Sequence, residues 1–182
     1  MTHPQIVLLR GINVGGHKKI RMKDLAVQLE NMGLTNVQTY IQSGNLVVHT
    51  QESRPTTLSE QISACIRQRF SMEVEAITRT LPEFRRVIEH NPFLSNPDID
   101  PTKIHVTFLQ HIPTPEVAQS LTNIHFPPDE FVWREGEIFV FCPNGYGRTK
   151  LENGLFERHL RIKATTRNLN TIRKLITLAA SF

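Results

Sequence analysis

Cysteine is scarce in this sequence, since only Cys65 and Cys142 occur among its 182 residues. Two distant cysteines cannot form the disulfide framework of a small secreted protein, and they suit a reducing cytosol. No apolar run approaches the roughly 20 residues that a membrane-spanning helix needs. The N-terminus also lacks the charged segment and long apolar stretch of a signal peptide. We therefore expect a cytoplasmic protein with no membrane partner.

Residues that stack on bases or bind metals are also few or scattered. Tyr40, Tyr146 and Trp133 could stack on nucleobases, but no RNA-binding sheet signature surrounds them. The eight histidines show no H-x3-H spacing and no pairing with cysteines. We therefore predict no metal site and no cofactor.

Positive charge is concentrated at the two ends of the chain. The formal net charge is +4, with +3 in residues 1–50, +6 in residues 144–182 and −5 in residues 92–143. Each basic end contains a Gly-rich loop. If the fold brings the ends together, they form a cationic face that attracts phosphates. The alternative is solvated surface charge without a partner.

The order of the helix and strand signals predicts an α+β fold with two units. Residues 1–80 follow the order strand–helix–strand–strand–helix–strand, which is that of a ferredoxin-like split βαβ unit. Residues 81–182 are predicted to form a second α+β unit, packed tightly against the first. This second unit contains a hairpin at Glu135-Gly136 and ends in two helices.

Two capping boxes mark predicted helix starts, Thr57-x-x-Glu60 and Thr80-x-x-Glu83. In each, the two side chains would satisfy backbone donors of the first helical turn. Thr166 or Asn168 is interpreted as the N-cap of the last helix, so no strand is predicted there. The alternative is that residues 165–168 hold an anion together with Arg173. No internal repeat is evident from the sequence.

The first Gly-rich loop, RGINVGGHKK at residues 10–19, lies between a predicted strand and a predicted helix. Glycine allows backbone N–H groups to point inward, and a helix N-terminus adds positive potential, so such a loop can hold an anion. The loop fits neither the Walker A pattern nor G-x-G-x-x-G. The alternative is a tight turn that needs positive φ. The candidate ligand-binding residues here are Arg10, Gly11, Asn13, Gly15, Gly16, Lys18 and Lys19.

The second Gly-rich loop, CPNGYGRT at residues 142–149, matches the C-x5-R-[ST] pattern of cysteine-dependent phosphatases. Such enzymes need a cysteine thiolate and an arginine that grips two phosphate oxygens, and Asp129 is the nearest upstream aspartate for a general acid. However, strand alternation places Cys142 on the face of Ile138 and Val140, which predicts a buried structural thiol. We therefore assign no catalytic residue. The candidate anion ligands are Gly145, Gly147, Arg148 and Lys150, together with Arg167 before the last helix.

Six segments of the chain resemble the bacterial domain of unknown function 1697 family. They are LLRGINVGGHKKI, TYIQSGNLVV, NPF, HVTFL, PNGYGRTKL and TTRNLNTIRKL, in this order between Ile6 and Leu178. The resemblance implies a cytoplasmic bacterial α+β protein with two subdomains. It implies no known activity, cofactor or catalytic residue.

The leading functional interpretation is an anion-binding module for a nucleotide-like metabolite or a nucleic-acid backbone. Its ligand would contact the two Gly-rich loops and residues 165–174. One alternative is a Cys142-dependent phosphatase-type hydrolase. The other is an interaction protein whose loops serve only folding. The sequence does not determine the oligomeric state.

Overall fold

The computed structural model describes residues 2–15 and 18–181. Within these residues the α+β class predicted from the sequence is confirmed, and no described helix is long and apolar enough to cross a membrane. The strands and helices, in chain order, are β1 His3–Leu9, α1 Met22–Asn31, β2 Thr35–Tyr40, β3 Asn45–Thr50, α2 Pro55–Phe70, β4 Ala76–Thr80, α3 Leu81–Glu89, β5 Ile104–Leu109, α4 Pro115–Ala118, β6 Glu130–Arg134, β7 Glu137–Phe141, α5 Asn153–Leu160, β8 Ala164–Asn168 and α6 Leu169–Ala179.

The chain divides into two compact units. Unit 1 comprises Met1–Arg85 and Lys174–Phe182, and unit 2 comprises Arg86–Arg173. The divisions therefore fall inside α3 and inside α6. The boundary predicted from the sequence lies after residue 80 and leaves the whole last helix in the second part.

Unit 1 contains a four-stranded sheet in the order β2-β3-β1-β4, with every neighbouring pair antiparallel. Its element order from β1 to β4 is the one expected from the sequence. Apolar residues of β1, β3 and β4 pack on one face against the apolar stripes of α1 and α2. The fully buried members of this core include Val7, Leu9, Leu25, Leu29, Leu46, Val48, Leu58 and Ile62.

Unit 2 contains a second four-stranded sheet in the order β6-β7-β5-β8, again antiparallel throughout. The sequence interpretation missed β8, which occupies Ala164–Asn168 and pairs with β5 along its full length. Ala164 and Thr166 lie on the core side of β8, and only the alanine is apolar. The apolar alternation that reveals other strands is therefore absent here.

The two units repeat the same arrangement, which the sequence interpretation also missed. In both, the third and first strands are paired in the centre and the fourth strand runs directly into a helix. Residues 76–88 and 164–176 align without a gap and are identical at six of thirteen positions. The backbone bond from Arg10 N–H to Glu75 O is 2.9 Å long, and its counterpart from Gln110 N–H to Lys163 O is also 2.9 Å.

Three connections in this repeat differ greatly in length between the units, and one of them joins the first helix to the second strand through residues 32–34 in unit 1 and 119–129 in unit 2. Residues 10–21 join β1 to α1, whereas residues 110–114 make the equivalent connection in unit 2. Residues 142–152 join β7 to α5, whereas residues 51–54 make the equivalent connection in unit 1. Two of the three longer connections, residues 10–21 and 142–152, contain the Gly-rich loops. Long loops in compact domains are often functional, so both loops are candidate sites.

The two predicted capping boxes have different outcomes. The Thr80 box is confirmed, since Thr80 N–H donates to Glu83 Oε2 at 2.7 Å and Glu83 N–H donates to Thr80 Oγ1 at 3.3 Å. The Thr57 box is wrong, because α2 begins at Pro55 and its N-cap, Arg54, makes no side-chain capping bond. Proline fits this first helical position, where no N–H is needed.

Candidate functional site

The first Gly-rich loop is held by the side chain of Asn13. Its amide nitrogen donates to Ile20 O at 2.9 Å and to Gln42 O at 2.7 Å. Its amide oxygen accepts from Ile20 N–H at 2.9 Å. Asn13 thus joins both ends of the loop to the β2–β3 turn. We call this set of three bonds the Asn13 clamp.

The backbone of this loop is left-handed at several positions. Gly11, Asn13, Gly15 and Lys18 have φ values of 67°, 54°, 60° and 48°. Gly11 and Gly15 are exposed, and Gly16 lies outside the described residues. Among the residues that the structure describes, the exposed Gly11 makes no hydrogen bond from its N–H group to a backbone acceptor, whereas Ile12 is fully buried. The Gly11 N–H group can therefore be offered to a ligand.

Positively charged side chains lie within this loop and directly after it in the chain. Lys19 and Arg21 are exposed, as is Lys23 in the first turn of α1, and Arg10 is half-buried. The ammonium group of Lys18 donates to Glu73 O, so this candidate residue already has a partner within the protein. Arg21 and Lys23 were not among the residues predicted from the sequence. The basic run from Lys18 to Lys23 is the signal that could have identified them.

The second Gly-rich loop folds as consecutive turns. Gly145 N–H donates to Cys142 O at 2.9 Å, Arg148 N–H to Gly145 O at 3.1 Å and Thr149 N–H to Tyr146 O at 3.3 Å. A phosphatase loop directs its successive N–H groups toward the phosphate. Three of the amides here are used within the loop instead. Gly147, Arg148 and Lys150 are exposed, and the Lys150 Nζ atom lies 5.3 Å from the centre of the Phe126 ring.

Cys142 is a buried structural residue, as its strand position predicts. The residue is fully buried among Ile138, Val140 and other apolar side chains of the unit 2 core. This burial raises the pKa of the Cys142 thiol, and the nearby Asp129 carboxylate acts in the same direction, while the Thr149 hydroxyl opposes them. Thr149 Oγ1 itself donates to Asp129 Oδ2 at 2.6 Å. A neutral, inaccessible thiol is a poor nucleophile.

We expect slow alkylation of Cys142 by iodoacetamide at pH 7, because the reactive thiolate is both scarce and inaccessible. Cys65, which is only partly buried, supplies an internal comparison in the same reaction. Mass spectrometry of the modified peptides would measure both rates. Fast modification of Cys142, together with aryl phosphate turnover that Cys142→Ser abolishes, would contradict the structural role.

Stacking of Tyr146 on His105 anchors the second loop. The two ring centres are 4.6 Å apart and the rings are inclined by 26°. Burial lowers the pKa of the His105 imidazole and raises the pKa of the Tyr146 phenol. The middle of the loop therefore packs onto the sheet of unit 2, while Asn144 and Gly147 on either side of Tyr146 are exposed.

Arg167, the remaining candidate, lies in β8. It is partly exposed as a residue, but its guanidinium group is packed deep among protein atoms, and this burial lowers its pKa to about 10. The guanidinium Nη1 atom donates to Thr165 Oγ1 and to Thr166 O, both at 2.8 Å. Arg167 therefore stays positively charged at neutral pH, and its Nη1 group already donates to acceptors within the protein.

Comparison with known proteins agrees with the resemblance noted in the sequence. Residues 1–139 match the model of a family described as a protein of unknown function, DUF1697. The chain belongs to this family. The match includes all of the first Gly-rich loop, whereas the second loop, at residues 142–149, lies beyond the matched residues.

A solved structure shows the same fold as this DUF1697 chain. It is the conserved bacterial protein SP0830 from Streptococcus pneumoniae, which is 23% identical with a TM-score of 0.72, over 98% of this chain and 99% of that chain. A search of curated proteins found no match. Neither the DUF1697 description nor this likeness names a reaction or a ligand.

The candidate residues fall into two groups, one in each unit. Unit 1 brings together the described candidates of the first loop, which are Arg10, Gly11, Asn13, Gly15, Lys18 and Lys19. Unit 2 contains those of the second loop and β8, which are Gly145, Gly147, Arg148, Lys150 and Arg167. The first group combines exposed glycines, a Gly11 N–H group without a backbone acceptor and exposed cations, so it is the better candidate site.

Proposed function

We propose that this protein binds a phosphate group of a nucleotide-like metabolite or of a nucleic-acid backbone at the first Gly-rich loop. The Asn13 clamp is the observation that carries the proposal. It fixes the loop while leaving Gly11 and Gly15 exposed in left-handed conformations. Because the clamp already holds Asn13 and Ile20, these two residues lose less conformational entropy when an anion binds.

Charge supports the same loop. Lys19, Arg21 and Lys23 are exposed, and Asp24 is the one acidic residue between Arg10 and Glu30. The N-terminus of α1 adds a partial positive charge at Met22. Backbone N–H groups combined with exposed cations favour a phosphate over a neutral ligand.

The second loop is a weaker part of the proposal. Arg148 and Lys150 could bind an anion through their side chains, but the Gly145 and Arg148 N–H groups already have acceptors. Gly147 would then contribute through its backbone, and Arg167 only through its positive charge, since its guanidinium group is packed among protein atoms. The alternative hydrolase is disfavoured by the burial of Cys142.

A cytosolic location is part of the proposal. Neither Cys65 nor Cys142 forms a disulfide. Free thiols are usual in a reducing compartment. Nucleotides and nucleic acids would both be within reach there.

Isothermal titration with inorganic tripolyphosphate tests the proposed function. We expect the double variant Lys19→Gln/Arg21→Gln to bind about tenfold more weakly, because two charge-assisted contacts are lost. The matched control, Arg158→Gln/Lys163→Gln, removes two exposed cations from unit 2 and should retain the original affinity. Affinity should also fall as salt concentration increases, since anion binding to exposed cations is screened.

Two results would contradict the proposal. The first is no measurable tripolyphosphate binding by the folded protein at low salt. The second is equal weakening by the two double variants, because binding would then depend on net charge and not on the loop.

A further inference from the structure

Two exposed aliphatic side chains flank the Asn13 clamp. Val14 is 62% exposed and Ile41 is 54% exposed. Val14 follows Asn13 in the chain, and Ile41 precedes Gln42, whose carbonyl oxygen accepts the 2.7 Å bond from Asn13. The clamp therefore joins the backbone segments that carry these two residues.

Ile41 has an unusual backbone conformation. Its φ is 52°, in the left-handed region, where a β-branched side chain is crowded by its own backbone. Glycine or asparagine would relieve this strain, and an exposed isoleucine gains little compensation from core packing. A strained residue that does not serve the core suggests a role in binding.

The surroundings of these two residues indicate what they would contact. Lys18, Lys19 and Arg21 lie in the same loop region, so a ligand here meets apolar surface next to positive charge. Two aliphatic side chains are too small a patch to hold a protein on a bilayer, which takes a larger amphipathic surface. A nucleotide combines an apolar base face with negative phosphates, which matches exposed aliphatic side chains next to cations.

We propose that Val14 and Ile41 contact the base of a nucleotide unit whose phosphates lie on the first Gly-rich loop. This inference rests on the proposed function and names the ligand class of the same site. Free inorganic phosphates would use only the backbone and the cations. Nucleotides would use the apolar pair in addition.

Comparison of ATP with inorganic tripolyphosphate tests this inference, because the two ligands share the same phosphate chain. We expect the unmodified protein to bind ATP about tenfold more tightly, the effect of covering a small apolar face. The variant Val14→Ser/Ile41→Asn should lose this preference and keep its tripolyphosphate affinity. Ile112→Asn is the matched control, because Ile112 is 69% exposed in unit 2 and should leave both affinities unchanged.

Thermal unfolding separates a binding role of Ile41 from a folding role. Asparagine tolerates positive φ, so Ile41→Asn should raise the melting temperature by about 2 °C while ATP binding weakens. A lower melting temperature would show that Ile41 serves folding, and the inference would be wrong.

The remaining outcomes identify which proposal fails. If neither ligand binds, the proposed function and this inference both fail. If both ligands bind equally and the double variant changes neither affinity, only the base contact is disproved. If the double variant instead reduces cosedimentation with phosphatidylserine vesicles and leaves ATP binding intact, the apolar pair contacts membranes and the inference is also overturned.

Discussion

Replacing Gly44 by alanine is expected to lower the free energy of unfolding by roughly 3–5 kcal/mol, combining overpacking with backbone strain. Gly44 has a φ of 75°, and a Cβ atom there would lie 2.7 Å from Leu9 Cβ and 2.9 Å from Ile12 Cγ1. Leu9 and Ile12 are fully buried, and Leu9 N–H donates to Gly44 O at 2.8 Å. Neither side of this contact can therefore move without disturbing the core of unit 1.

Urea unfolding followed by circular dichroism would measure this loss. The matched control is Gly11→Ala. Gly11 also has a left-handed φ, but no heavy atom lies within 4 Å of the position that an added Cβ atom would take. This control should lose only the roughly 1–2 kcal/mol of backbone strain. Equal losses for both variants would show that the close approach to Leu9 and Ile12 is unimportant.

Most of the fold was predictable because apolar periodicity reports burial. The strands β1, β3 and β7 each contain a buried apolar run, and α1 buries Met22, Leu25 and Leu29 at helical spacing. Apolar residues recur at these spacings because one face of each element is buried in the core. The spacing therefore identifies helices and strands, but it gives no information about loop conformation.

The missed strand β8 shows where periodicity fails. Its residue Asn168 accepts from Thr171 N–H at 2.8 Å and therefore does act as the predicted cap of α6. A correct cap was thus compatible with a strand directly before it. Comparison with the segment from Ala76 to Ile88 was the available signal, since the two segments share six residues in the same positions.

The candidate site was only partly predictable. Glycine spacing and lysines located the first loop, because positive φ and charge depend on residue type. The exposure of Ile41 and the partner of Asn13 depend on the β2–β3 turn, about 30 residues away in sequence, and only folding brings the two segments together. The sequence pattern of either segment alone therefore does not predict that contact.

Replacing Asn13 by alanine is the second substitution with a large expected effect. We expect it to lower the free energy of unfolding by roughly 2–4 kcal/mol, because three hydrogen bonds are lost and a left-handed position is given to alanine. Ile20 N–H would lose its acceptor, and Ile20 O and Gln42 O would lose a donor. Chemical denaturation would measure the change, with the exposed Asn144→Ala in the second loop as control.

Binding measurements on the same variant show whether the clamp also serves the anion site. In Asn13→Ala the weakened loop should bind tripolyphosphate less tightly, since ordering the loop then costs free energy during binding. Alanine is used because Asn13→Asp would add a negative charge that itself repels the anion, and its carboxylate would face the Ile20 and Gln42 carbonyl oxygens. A stability loss without any loss of binding would mean that the clamp serves folding alone and that the first loop is not the anion site.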